Sequence, residues 1–84
     1  MIDAMYNAVL LPRIRYDKRL SATARLIFCE MTACVDENQM MDDNPDYFTT
    51  ELHLPAADVS VAYGQLLKYK LIKKQQDGQI WVDL

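Results

Sequence analysis

The sequence is poor in the residues from which small catalytic and metal-binding motifs are built. Its 84 residues include two glycines, two cysteines and one histidine. Gly64 and Gly78 are isolated, so no glycine-rich phosphate loop, dinucleotide fingerprint or nucleophile elbow runs through them. His53 has no C-x-x-C to work with, which argues against a zinc site; its plain reading is a turn residue. Cys29 and Cys34 stand five apart on an expected helix, too far round to bridge. Two unpaired thiols without an export signal point to a reducing cytoplasm. The opening "MIDAMYNAVLLPRIRYD" has no basic region leading into a long apolar stretch, so it does not read as a signal peptide. No run approaches the roughly 18 apolar residues of a membrane span. The acidic run "DENQMMDDNPD" lacks the central glycine and the closing glutamate of a calcium loop and reads as a solvated loop. No enzyme, metal, cofactor, small-molecule substrate or membrane contact is therefore expected.

What is present is enough for one small domain. About half of the residues are apolar, too many for a disordered chain, yet so short a chain needs an efficient core or a partner. The net charge of −3 hides an uneven distribution. Residues 30 to 58 hold Glu30, Asp36, Glu37, Asp42, Asp43, Asp46, Glu51 and Asp58 with no lysine or arginine. Arg13, Arg15, Lys18 and Arg19 precede them, and Lys68, Lys70, Lys73 and Lys74 follow. A polyanion would be drawn to the ends and repelled by the middle.

Along the chain, "VLLPRIRYD" reads as a short strand in which Ile14 and Tyr16 alternate with Arg13 and Arg15, with Pro12 placing it at an edge. Ser21 is a candidate cap for a first helix whose stripe is Leu20, Ala24, Ile27, Phe28, Met31 and Val35. Asn44 and Pro45 open a short second helix with Asp46 in its first turn and Phe48 and Leu52 facing the core. Pro55 opens a third helix to about Lys70, buried along Val59, Ala62 or Tyr63, and Leu66. Asp77-Gly78 predicts a two-residue hairpin turn pairing Gln76 with Gln79, Lys74 with Trp81 and Ile72 with Asp83. Lys74 beside Trp81 is either a cation–π pair or two neighbours on a wet face. The expected order is strand, helix, helix, turn, helix, hairpin: an α+β winged helix with an N-terminal strand, three helices and a C-terminal wing.

The wording is also familiar. "RYDKRLSATARLIFCEMTACVDEN" resembles the start of the winged-helix N-terminal domain of phage and plasmid replication initiators, replisome organisers and DnaD-like primosome proteins of Gram-positive bacteria. Tyr16, Asp17, Lys18, Leu20, Ser21, Ala24, Arg25, Leu26, Ile27, Phe28, Glu30 and Met31 fit the pattern Y-D-K-x-L-S-x-x-A-K-L-L-Y-x-E-I. "NPDYFTTELHLPAADVSVAYGQLLKYKLIKK" is similar to the family's second stretch, with Asn44, Phe48, Leu52, Leu54, Val59, Ser60, Leu66 and Ile72 at its structural places. The resemblance spans nearly the whole chain, and its motifs specify fold better than activity. It implies DNA binding, self-association or docking to replication proteins, by one domain of a longer initiator or by a small stand-alone relative. The chain departs from the pattern at Pro55, Ala56, Ala57, Asp58, Val61 and Gly64, where the family's third helix tends to be basic or hydroxylated. It also has Lys70 where the family has a glycine before the wing strand.

A helix that reads bases needs donors and acceptors that reach base edges, and cations for the phosphates. The third helix offers Ser60, Gln65 and Tyr63 at most. The expected DNA contacts are therefore Arg13, Arg15, Lys18 and Arg19, the wing residues Lys73 and Lys74, and Ser60. Because Val61, Leu67 and Tyr69 cannot all turn inward, they form with Tyr63 the candidate partner-binding surface, either for replication proteins or for a second copy. A transcriptional regulator is a third reading on fold alone.

Overall fold

The computed structural model describes residues 8–84; the first seven residues, on which the leader-peptide reading partly rests, lie outside them. The chain begins with α1 (Pro12–Arg15), followed by α2 (Ala22–Cys34), β1 (Met40–Asp42), α3 (Pro45–Glu51) and α4 (Ala56–Lys68). It ends in β2 (Ile72–Lys74) and β3 (Gln79–Val82). The class is α+β, with a three-stranded antiparallel sheet in the order β1-β3-β2.

The N-terminal segment is a helical turn, contrary to the strand expected there. Pro12 sits at the first helical position, where its fixed φ suits a helix start. The amides of Ile14 and Arg15 both donate to the Leu11 carbonyl at 2.9 Å. A strand would put Ile14 and Tyr16 on one face, but Ile14 is 1% exposed and Tyr16 69%. The strand instead lies between the first two long helices, as β1. It pairs with β3 through Met40–Trp81, Met41–Ile80 and Asp42–Gln79.

α2 follows its sequence pattern. The Ser21 hydroxyl accepts from the Ala24 amide at 3.1 Å, and Leu20, Ala24, Ile27, Phe28 and Met31 are buried. Val35, just past the helix end, is half-buried against the same core. Asn44 holds the cap position of α3, but its side chain makes no capping bond. α4 starts one residue later than expected, because Pro55 is its extended cap residue, and it stops at Lys68. Val59, Ala62, Tyr63 and Leu66 all turn inward. α4 packs against both α2 and α3 and closes the core with Phe48, Ile72, Ile80 and Val82.

The hairpin turns at Asp77 and Gly78, both left-handed (φ 66° and 72°), but its register differs by one residue from the two-residue turn. The Gln75 amide donates to the Gln79 carbonyl at 2.8 Å, and the pairs are Ile72–Val82, Lys73–Trp81 and Lys74–Ile80. Apolar burial decides this. The observed register sets Ile72 against Val82, both buried, whereas the expected one set it against Asp83.

Candidate nucleic-acid interface

The end of α4 is closed by a left-handed residue. Lys70 has φ 60°. Its amide donates to the Leu67 carbonyl at 3.1 Å, and the Leu71 amide to that of Leu66 at 2.9 Å. This is a Schellman ending, whose left-handed position usually takes glycine. Buried Leu71 then leads into β2.

That ending brings the two basic ends of the chain together. The Arg19 guanidinium lies 4.3 Å from the Tyr69 ring centre, and the Lys68 ammonium 5.5 Å from the same ring. Arg13 donates to the Asp83 carbonyl, and the Asp83 amide donates to the Leu71 carbonyl. Arg13, Arg19, Lys68 and Lys70 therefore gather around one corner, next to exposed Lys18. Lys68 and Lys70 were counted in the basic C-terminal end of the sequence but not among the expected DNA contacts. The signal for them was there: two lysines flank an aromatic residue at the C-terminal end of an amphipathic helix, where cations also suit the helix dipole.

Asp17 organises this corner. Its carboxylate accepts from the Arg19 guanidinium at 2.9 and 2.7 Å and from the Arg19 backbone amide at 3.0 Å. These bonds, the side-chain ones foremost, bring its pKa from an ordinary 3.8 down to about 2. The Asp17 carbonyl accepts from Arg25 at 2.9 Å. Arg19 is thus held in place over Tyr69 and partly neutralised.

The other expected contact residues are more scattered. Arg15 lies over Tyr16, 5.4 Å from the ring centre. Lys73, not Lys74, lies over Trp81 at 5.3 Å, because the hairpin register pairs those two residues. Lys74 lies 3.8 Å from the Asp43 carboxylate. Ser60 is exposed in a groove between α3 and α4 that also contains Asp46, Thr49 and Lys74. Gln65 is committed inside the fold, where its Oε1 accepts from the Ser21 amide at 2.8 Å. Of the expected partner surface, Val61 is 60% exposed, and Leu67 and Tyr69 are half-buried against the core. Tyr63 is 6% exposed and belongs to the core, so it is not part of that surface; burial, then Asp43, pushes its phenol pKa up.

A second polar cluster lies inside. Buried Glu30 accepts from the Tyr47 hydroxyl at 3.2 Å. Desolvation foremost raises the pKa of Tyr47 and of the free thiols Cys29 and Cys34, which keeps those thiols protonated and poorly nucleophilic. Asp36, in the acidic loop, accepts from the amides of Asn38 and Met40 at 2.8 and 3.0 Å, so its carboxylate holds a turn. Among the described residues no histidine, cysteine and carboxylate cluster is placed to hold a metal, and no helix is long and apolar enough to cross a membrane.

Comparison with family models, with curated proteins and with solved structures returns no match to this chain.

Proposed function

We propose that this chain is a winged-helix module of a replication-initiation or primosome-type protein, of phage, plasmid or Gram-positive bacterial kind. It binds DNA weakly, through the phosphates and without reading bases. The order of two helices, strand, two helices and hairpin, with a three-stranded antiparallel sheet, is compatible with that fold. The carrying observation is the corner where Arg19 and Lys68 flank Tyr69, beside Lys18 and Lys70. It concentrates cations and offers few groups that distinguish one base from another.

α4 explains why the corner positions the domain without specifying sequence. Its 13 residues span roughly 20 Å at ~1.5 Å per residue. Asp58 occupies the first turn and Lys68 the last. The end that would enter a major groove is therefore acidic and flanked by Asp46 and Glu51 of α3, while the cations sit at the opposite end. Lys73 on the hairpin and Arg15 at the end of α1 extend the contact to neighbouring phosphates, and Arg13 is held by the Asp83 carbonyl. Lys74 contributes less, since it faces Asp43.

Fluorescence anisotropy with two short duplexes of unrelated sequence tests this. Both should bind at low salt with similar affinity, and both should be released as salt rises. Discrimination of more than about tenfold between the duplexes would instead assign base readout to α4. No binding at low salt would overturn the proposal. A second reading, an assembly module of the same fold, is favoured by Val61, a large apolar side chain standing exposed on α4.

A further inference from the structure

Phosphate contacts leave two aromatic side chains of the surface unaccounted for. Trp81 is the single tryptophan. Ile80 and Val82 on either side of it are fully buried, so strand alternation turns Trp81 and Gln79 to the outer face of the sheet. There Trp81 holds the middle strand, with Met40 of β1 on one side and Lys73 of β2 on the other. Tyr16, just past α1, is the most exposed large apolar side chain among the described residues. A cation attends each ring: Lys73 lies 5.3 Å from the centre of Trp81, and Arg15 5.4 Å from that of Tyr16. Half-buried Tyr69, with Arg19 and Lys68 over it, is a third such group. The backbone of Asp83, two residues from Trp81, connects the three. Its amide donates to the carbonyl of Leu71, two residues from Tyr69, and its carbonyl accepts from Arg13, three residues from Tyr16.

A duplex hides the faces of its bases within its own stack, whereas single-stranded DNA exposes them. Aromatic rings that stack on exposed bases, each beside a cation for the adjoining phosphate, are the elements of single-strand recognition. We infer that the preferred ligand of this domain is single-stranded DNA. One base stacks on Trp81 and another on Tyr16, and Lys73 and Arg15 take the neighbouring phosphates. The inference rests on the DNA-binding reading and narrows its ligand. Lys73 and Arg15 are exposed, and an exposed cation–aromatic contact is weaker than base stacking. An arriving base therefore takes the ring, and the long charged side chain turns to the phosphate. Every base has a face to stack, so binding stays indifferent to sequence. Exposed Asp42 stands on the same sheet face, paired with Gln79. Its charge directs the bound DNA from Trp81 towards Lys73 and the basic corner, away from β1.

Anisotropy of labelled DNA and tryptophan emission of the full chain, both at low salt, test this. The probes are a mixed-sequence oligonucleotide of about 12 nucleotides and the duplex it forms with its complement. The single-stranded form should bind about tenfold more tightly than the duplex. It alone should quench Trp81, the only source of tryptophan emission in the chain. Tyr16→Ala and Trp81→Leu should each lower single-strand affinity about tenfold and leave duplex affinity unchanged, while Trp81→Phe keeps most of it. Circular dichroism establishes that the variants are folded, and the exposure of Tyr16 makes its variant safe even where Trp81→Leu is not. Equal affinity for the two forms, with Trp81 emission unchanged by either, overturns the inference and leaves the phosphate-binding reading standing. So does a single-strand affinity that Tyr16→Ala and Trp81→Leu both leave unaltered. No binding of either form overturns the DNA-binding reading itself, and this inference with it.

Discussion

Lys70 closes α4 in a conformation that glycine adopts freely and that costs a residue with a Cβ about 1 kcal/mol or more. Lys70→Gly should therefore raise stability by about 1 kcal/mol in chemical denaturation, while removing one cation from the basic corner. An unchanged or lower stability would mean that the lysine stem makes compensating contacts. A gain in stability accompanied by weaker DNA binding is the signature of a residue kept for charge at the expense of backbone comfort. Asp17 gives the pH dependence at the same scale. Its folded pKa is lowered, so its contribution to stability is present above its ordinary value of 3.8 and is lost as pH falls through about 2. A carbon-detected NMR titration should place its midpoint near 2, and Arg19→Ala should return it towards 3.8. A midpoint that stays put in the variant would show that Arg19 is not the cause.

At the scale of elements, α2 depends on its start. The Ser21 hydroxyl caps the helix, while the Ser21 amide is satisfied from α4 by Gln65. Ser21→Ala should cost about 1 kcal/mol, read as a lower denaturation midpoint. Elements with long apolar periods were legible in the sequence, and α2 is the clearest case: its cap and five residues of its stripe are where the spacing puts them. Among short elements, α3 was legible from Asn44 and Pro45 at its start, whereas α1 and β1 were not. Four residues at Pro12–Arg15 cannot separate a period of 2 from one of 3.6, and only the burial of Ile14 against exposed Tyr16 decides for the helix. β1 is three residues without a β-branched side chain, and its partner strand lies at the far end of the chain. The hairpin turn was legible but its register was not, because the pairing of Ile72 with Val82 outweighs the preferred length of an Asp-Gly turn. The candidate corner was half legible. Arg13, Lys18 and Arg19 stand out as charge, but their meeting with Lys68 and Lys70 depends on Tyr69 and on the Schellman ending, which only the folded chain brings together.

For the molecule as a whole, charge segregation is the organising feature. From the acidic middle of the chain, Asp46 and Glu51 lie on α3 and Asp58 in the first turn of α4, while Arg19 and Lys68, one from each basic end, meet over Tyr69 at the other end of α4. On the proposed reading, a polyanion approaching this surface would be oriented by it, and its affinity would be set by how many phosphates the corner neutralises. The most direct measurement is the salt dependence of duplex binding for the unaltered chain and for a Lys68→Ala, Lys70→Ala double variant. Each phosphate contact contributes about 0.9 to the slope of log affinity against log salt. The account predicts that the double variant, still folded, has a slope shallower by about 2 and binds less at low salt. An identical slope and affinity in the two proteins would contradict it and remove the basic corner from the DNA-binding surface.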